Sequence, residues 1–302
     1  MGHSKQKIEL VFVNHLYDLK MELDINDVSI FFDGLDHPEC IAVHPDGSVW
    51  AGGEDGQIYR ISEDGYSMEI VNNTNGFNLG IAFSPDASWL AVCDLKNKCV
   101  WKLELKTNQL TKFATGADGV SFNIPNYAAF TNSGKLFVSD SGAFREVSGK
   151  IFCFESNGEG SIWHKGPFNF ANGLAISAKE DWLYVVCTWL PGVERIEIKE
   201  DGTQGNREIF CIIPKTCPDG IAFDDVGNLY VGCYTPNSIY KINSQKELTL
   251  VIEDWEAHTL SNPTNLAFGG KEFNQLFTSN LGRWHISKVN IQVTGLRLPC
   301  QH

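Results

Sequence analysis

Basic residues are scarce in this chain relative to acidic ones. Its 302 residues include 24 Lys and Arg against 37 Asp and Glu, so the formal net charge is −13. Proteins that bind nucleic acid or an anionic membrane surface generally present a basic face. The charge balance therefore argues against both kinds of partner.

Long apolar runs and helical periodicity are also missing. No run approaches the roughly 18 apolar residues of a membrane-spanning helix. The opening MGHSKQKIELVFVNHLYD lacks the apolar core and the small-residue cleavage site of a signal peptide. Almost no segment has the 3.6-residue period of an amphipathic helix, which argues against a doubly wound α/β fold. The 43% of hydrophobic residues is ordinary for a globular protein and excludes a largely disordered chain.

CxxC pairs are absent, although the chain has nine cysteines. Nine is an odd number, and most of these residues lie inside apolar strand-like runs such as LAVCD and YVVCT. We therefore expect reduced, buried thiols in a cytoplasmic protein. A secreted disulfide scaffold is the alternative.

What the chain does contain is one short pattern that recurs six times. The first residues of the copies are spaced 40 to 47 residues apart, and each copy has Ala three places later. The copies are ECIAVHPDGSVW from Glu39, LGIAFSPDASWL from Leu79, NYAAFTNSGKLF from Asn126, NGLAISAKEDWL from Asn172, DGIAFDDVGNLY from Asp219 and TNLAFGGKEFNQLF from Thr264.

Each copy consists of two apolar strands joined by a turn, and a third and usually a fourth strand-like run follow. Four strands in a period of about 45 residues are typical of a propeller blade. A sandwich or barrel would not repeat one motif six times, and a solenoid usually has a shorter period. The sequence therefore predicts an all-β, six-bladed propeller with four antiparallel strands per blade. We expect residues 1–26 to form an N-terminal extension and residues 27–302 a single domain, closed by the strand at residues 28–32, VSIFF.

The first residues of the six copies should form a ring, because the first strand of each blade lines the central channel. Four of them are Glu39, Asn126, Asn172 and Asp219, whose carboxylate and amide oxygens are the ligands of hard cations such as Ca²⁺ and Mg²⁺. The ring contains no His or Cys, which argues against a dedicated zinc or copper site. Alternatively, these residues simply line a wet channel or cap strand starts.

These residues resemble the senescence marker protein / gluconolactonase family of regucalcin-like lactonases, which are related to diisopropyl fluorophosphatase and the paraoxonases. The matching segments are HPECIAVHPDG, IPNYAAFTNSGKLFVSDSG, FANGLAIS, CPDGIAFDDVGNLYVGCY and NPTNLAFGGKEFNQLFTSN.

The resemblance implies a six-bladed propeller with one divalent ion in its channel. By analogy, Glu39, Asn172 and Asp219 are metal ligands, and Asn126 is a further ligand or binds substrate beside the metal. Ca²⁺ is the favoured ion, with Zn²⁺, Mg²⁺ or Mn²⁺ as alternatives. Asp219 is the candidate catalytic residue, acting as a general base or as a nucleophile.

The chain departs from many family members at two positions. Tyr127 follows the third-blade Asn where many members have Asp, and Thr188 and Trp189 replace an Asp at the end of a strand in the fourth blade. These departures make a sugar lactone a less secure substrate than a lactone in general.

Loops around the expected metal end supply candidate substrate contacts. We name Tyr127, Trp189, Tyr234, His258 and Arg145, in addition to Asn126. Aromatic side chains would form a partly apolar wall, His258 could transfer a proton near neutral pH, and Arg145 could hold a carboxylate or phosphate.

The leading functional hypothesis is a metal-dependent hydrolase that opens a lactone, present as a monomer or a small homo-oligomer. A phosphotriesterase is a variant of the same chemistry, because the same ion can polarise P=O. The alternatives are a calcium-binding or ligand-binding propeller without catalysis and an interaction platform without a metal, since one scaffold hosts many functions.

Overall fold

The computed structural model describes residues 21–302, which form six four-stranded antiparallel sheets. Only short 3₁₀ turns, at Ile25–Asp27 and Pro299–Gln301, add helical structure in that range. The prediction of an all-β propeller with six blades is confirmed.

The strands of the first three blades run from the innermost to the outermost in chain order. They are β2 (Cys40–Val43), β3 (Val49–Gly52), β4 (Gln57–Ile61) and β5 (Met68–Asn73); β6 (Asn78–Phe83), β7 (Trp89–Asp94), β8 (Cys99–Glu104) and β9 (Gln109–Ala114); and β12 (Pro125–Phe130), β13 (Leu136–Asp140), β14 (Gly149–Phe154) and β15 (Gly160–Phe168). A two-stranded ribbon, β10 (Gly116–Ala117) with β11 (Val120–Ser121), lies between the second and third blades in sequence.

The remaining blades repeat this order, except that the last one takes its outer strand from the start of the chain. They are β16 (Ala171–Ile176), β17 (Trp182–Cys187), β18 (Gly192–Ile198) and β19 (Gln204–Ile212); β20 (Cys217–Phe223), β21 (Leu229–Thr235), β22 (Ser238–Ile242) and β23 (Leu248–Glu253); and β24 (Pro263–Gly269), β25 (Gln275–Asn280), β26 (His285–Asn290) and β1 (Ser29–Asp33).

The turn inside each repeat explains why the pattern is so easily recognised. In the first copy, the amide of His44 donates to the carbonyl of Ser48, and the Asp46 carboxylate accepts from the Ser48 amide at 2.9 Å. Gly47 has φ +85°, a conformation that glycine adopts without steric cost. The Pro-Asp-Gly sequence thus reverses the chain between two strands whose residues are all buried.

The six inner strands surround a central channel. β2, β6, β12, β16, β20 and β24 contact one another in this order, and β24 also contacts β2. Large side chains fill the space between neighbouring blades, as where Trp89 of the second blade meets Phe130 of the third edge to face. Residues at the same place in each repeat are therefore brought to the same height in the channel.

Closure of the ring depends on β1. It pairs antiparallel with β26, and Phe31 packs against Phe277 with their ring centroids 4.9 Å apart. The expected closing strand is confirmed. Residues 1–20 of the expected N-terminal extension lie outside the described residues. In its described part, the amides of Glu22 and Leu23 donate to carbonyls of β23. The boundary at residue 27 stays a prediction.

Two further expectations concern the cysteines and the membrane. All nine cysteines are free, and six of them are buried. No helix within residues 21–302 combines the length and the apolar character that a bilayer crossing requires.

The closing strand offers a first test of the fold. Phe31→Ala should lower the free energy of unfolding by about 3–5 kcal/mol, because it opens a cavity between the first and last blades. Ile30→Ala on the same strand is the matched control, since Ile30 is 50% exposed, and it should cost about 0.5 kcal/mol or less. Urea titration followed by tryptophan fluorescence measures both, and equal losses would contradict the closure described here.

Candidate metal centre

The first residues of the repeats lie at equivalent positions at one end of the channel. Glu39 directly precedes β2, whereas the other five belong to the first halves of their inner strands. All six are at most 9% exposed. The ring that the repeat predicted is thus buried on the axis, with polar residues from five blades and Leu79 from the second.

Three of the predicted ligands meet within this ring. The carboxylates of Glu39 and Asp219 lie close enough to repel electrostatically, and the Asn172 side chain lies close enough to Asp219 to favour its ionised form. Thr264 completes the group, since its hydroxyl donates to the carbonyl oxygen of Glu39 at 2.7 Å. Residues from blades 1, 4, 5 and 6 are therefore in mutual contact around the axis.

The two carboxylates are poorly satisfied by the protein. Burial raises the pKa of Glu39 well above its usual 4.5, and the facing Asp219 raises it further, although the neighbouring Thr264 side chain opposes both effects. Burial also raises the pKa of Asp219, from 3.8 to about 8, against the lowering effect of the neighbouring Asn172 side chain. Two negative charges in a dry channel are unfavourable unless a positive charge lies between them.

Two buried oxygens in the ring have no hydrogen-bond partner. They are Oε2 of Glu39 and Oδ1 of Asn172. A buried acceptor without a donor costs free energy and is rare in native proteins. Here both acceptors belong to the group of residues that encloses the axis, and a hard cation would satisfy the carboxylate and amide oxygens together.

Hydroxyl groups fix which way the two ring amides point. Nδ2 of Asn126 donates to Ser141 Oγ at 3.0 Å, and Ser141 donates to the carbonyl of Ala171 at 2.7 Å. The same arrangement recurs one blade later.

There, Nδ2 of Asn172 donates to Thr188 Oγ1 at 3.2 Å, and Thr188 donates to the carbonyl of Pro218 at 2.8 Å. With the NH₂ group of each amide held outward in this way, each Oδ1 is left free to face the axis. Sequence reasoning assigned no role to Ser141 and noted Thr188 only as a departure from the family. Their positions after the strand runs FVSD and YVVC were the available signal.

The donor set of the ring suits a hard divalent cation. Two carboxylates and two amides supply oxygen only, which matches Ca²⁺ or Mg²⁺ rather than copper or structural zinc. No group of three or more His, Cys, Asp or Glu side chains capable of holding a metal occurs in residues 21–302. A cation site in this part of the chain would therefore need other oxygens besides carboxylates, and the ring offers amide oxygens.

The predicted substrate contacts fall into different surroundings. Tyr234 is 38% exposed, and burial together with the charges of Glu39 and Asp219 raises its pKa, so it lies beside the ring. Trp189 packs on Phe144 and Phe170, and the Arg145 guanidinium lies over the Phe144 ring, 5.3 Å from its centroid. These residues form a partly exposed aromatic cluster, and it lies near Asn172 because Trp189 directly follows Thr188, whose hydroxyl accepts from the Asn172 side chain.

The other two candidates are placed elsewhere. Tyr127 is buried inside the channel, and its hydroxyl donates to Oδ1 of Asn265 at 2.7 Å. The His258 side chain is 68% exposed, and its Nδ1 lies 3.7 Å from Oε2 of Glu256. Burial, with a smaller contribution from the charge of Asp219, raises the pKa of Tyr127, so this side chain lies near the ring, whereas His258 contacts Glu256.

Comparison with known proteins assigns the family. The family model described as SMP-30/gluconolactonase/LRE-like region matches residues 103–281, which is more than half of the chain. The protein belongs to this family. A second model, described as strictosidine synthase-like, N-terminal, matches residues 31–61.

Solved structures of the family share the fold at low identity. A gluconolactonase from Xanthomonas campestris superposes with a TM-score of 0.75 at 18% identity, over 87% of this chain and 89% of that one. A calcium-binding protein from Agrobacterium tumefaciens, regucalcin, superposes with a TM-score of 0.74 at 15% identity, over 90% and 96%.

Curated relatives are longer than this chain. The adipocyte plasma membrane-associated protein Hemomucin of Drosophila melanogaster is 24% identical over an alignment of 218 residues, and the alignment covers 63% of this chain and 37% of that protein. The chain spans between about a third and just over half of the length of the curated relatives that it matches.

The buried carboxylates predict an unusual pH dependence of stability in chelator. Folding raises the pKa of these acids, so between the unfolded-state and native-state pKa values the native state binds protons that the unfolded state has released. The free energy of unfolding therefore falls as pH rises through this interval. For Asp219 the fall should span the interval between its ordinary 3.8 and about 8.

We expect the midpoint of thermal unfolding in EDTA to decrease by several degrees from pH 5 to pH 8. Differential scanning calorimetry measures it, with Asp219→Asn as the comparison because the variant removes one titrating group. Identical pH profiles for the two proteins would contradict the raised pKa.

Proposed function

We propose that this protein is a divalent-metal-dependent hydrolase that opens a lactone, with Glu39, Asn126, Asn172 and Asp219 as metal ligands. The observation that carries the proposal is the pair of unpartnered buried oxygens, on Glu39 and Asn172, beside two facing carboxylates. Membership of the gluconolactonase-like family supports the same reaction class.

A divalent cation, when bound, would supply a positive charge that polarises the substrate carbonyl and holds Asp219 ionised. The ring residues then have separate tasks. Glu39 balances charge, Asn126 and Asn172 present neutral oxygens, and Leu79 leaves one side of the ring apolar. Tyr234 and the cluster of Trp189, Phe144 and Phe170 provide the wall against which an apolar part of the substrate would pack.

Asp219 carries the proton transfer in this proposal. Acting as a base, its carboxylate accepts a proton from the water that attacks the carbonyl carbon, and the C–O bond of the ring breaks. The departing oxygen leaves as an alcohol after it receives that proton, so the lactone and one water yield one hydroxy acid. Acting as a nucleophile, Asp219 would instead form an ester that water hydrolyses in a second step.

A calcium-binding propeller without turnover is the second candidate. It is favoured by the likeness to regucalcin, which is described as a calcium-binding protein. The two functions differ in whether binding of the ion is accompanied by hydrolysis. We keep the cytoplasm as the proposed location, on the strength of the nine free cysteines.

The decisive assay follows acid release from a panel of lactones, such as δ-valerolactone and δ-gluconolactone, with Ca²⁺, Mg²⁺, Mn²⁺ or Zn²⁺ added after EDTA treatment. Asp219→Asn should lower kcat/KM by about a hundredfold or more, since it removes the proton acceptor. Asp225→Asn, the same change at an exposed carboxylate, is the control and should keep full activity. Calcium binding with no hydrolysis of any lactone would favour the second candidate.

The hydroxyl that orients Asn172 provides a test of the metal site that is independent of turnover. Thr188→Val should weaken Ca²⁺ binding by about 10–100-fold, because the amide loses the acceptor that keeps its NH₂ outward. Thr188→Ser retains the hydroxyl and should bind nearly as well as the original protein. Calorimetric titration measures the affinity. Equal affinities of the Val and Ser variants would show that the hydroxyl does not position the ligand.

A further inference from the structure

A lower cavity lies in the channel at the end opposite to the metal centre. This lower cavity has a volume of about 380 Å³. Its wall comes from the second halves of the inner strands of all six blades, including Ile41, Phe83, Ile221 and Leu266. Neither Glu39, Asn172 nor Asp219 contributes to it.

The repeat itself creates this cavity. The alanine found three places into every copy lines the cavity in all six blades. These residues are Ala42, Ala82, Ala129, Ala175, Ala222 and Ala267. Four of them, at 82, 129, 175 and 222, are only half-buried although they lie in the centre of the molecule. Because the alanine side chain is only a methyl group, the channel stays open at these positions. Larger side chains there would fill the cavity.

Tyr127 forms part of the wall on the side of the metal centre. Its ring lines the cavity, and its hydroxyl reaches Asn265 of the sixth blade. The Asn265 oxygen also accepts from the amide of Leu266 at 2.7 Å. The Tyr127 hydroxyl and the Asn265 oxygen are thus both hydrogen-bonded within the protein. The part of this pair that lines the cavity is the apolar ring of Tyr127.

The last residues of the chain close most of the opposite side. The amide of Leu296 donates to the carbonyl of Phe223 in the fifth blade, and Nε2 of Gln301 donates to the carbonyl of Val43 in the first, both at 2.9 Å. Cys300 between them is buried. Charged and polar side chains of the wall, such as Glu180, Asn132 and Arg297, are half-exposed or exposed, which places them at the rim.

We propose that the lower cavity is a second binding site and that it takes an uncharged, apolar molecule. An apolar cavity of about 150 Å³ stays free of water and binds benzene, so this one is large enough for about two aromatic rings or a ten-carbon chain. The wall offers no fully buried charge to pair with an ionised ligand, and transfer of an unpaired charge into it would be unfavourable. The site does not depend on the metal centre or on the proposed reaction.

The test uses the full chain and the uncharged fluorophore N-phenyl-1-naphthylamine, whose emission rises in apolar surroundings, with 1-decanol as competitor. The double variant Ala175→Leu/Ala222→Leu fills the cavity and should weaken binding of the fluorophore by about tenfold or more. Ala143→Leu, the same change in a turn outside the cavity wall, is the matched control. Decanol should displace the fluorophore from the original protein.

Two additional measurements keep the outcome clear. Ala222→Val is a smaller step, to be used if the double variant does not fold, and it should give an intermediate loss of affinity. Binding should also be unchanged by EDTA and by Asp219→Asn, because the site lies away from the ring. Absence of binding to the original protein, equal affinity in all the alanine variants, or loss of binding on Asp219→Asn alone would each overturn the proposal.

Discussion

Everything at the centre of this molecule depends on the closure of a circle of sheets. The pairing of β1 with β26 completes the last blade and brings β24 beside β2, so that Thr264 reaches the backbone of Glu39, 225 residues earlier in the chain. Without β1 the edge of β26 would be exposed, and Glu39 would lie at a margin rather than opposite Asp219. The enclosed channel, with one polar and one apolar end, exists only because the circle is complete.

Closure has an electrostatic consequence at the polar end. Glu39 and Asp219 face each other where little water reaches, and the neighbouring amides cannot neutralise them. Such a ring has two acceptable states, one in which protons occupy the carboxylates and one in which a cation does. In the proposed function, the cation-filled state is the one that would leave Asp219 able to accept a proton from water. Ion binding and catalysis would then depend on the same ring residues.

The repeat made the architecture and the ring predictable, because a period of about 45 residues places equivalent residues on a common axis. It did not make the supporting contacts predictable. The hydroxyls of Ser141 and Thr188 act through carbonyls of the following blade, and the Tyr127 hydroxyl meets Asn265, 138 residues away. The loops were hardest of all, since His258 and Trp189 lie in segments whose conformation no periodicity determines. Sequence therefore identified what points toward the axis, and the structure was needed to show what holds it there.

The hydroxyl links between blades have one more consequence. A ring amide in one blade is held by a hydroxyl of the same blade, and that hydroxyl is anchored on the backbone of the next blade. The correct orientation of a ring amide thus depends on two neighbouring blades, not on a single one. If single blades were exchanged between relatives, the ring side chains would stay at the axis, but the amides would lose the orientation that the next blade supports. Exchange of adjacent pairs of blades would retain that orientation.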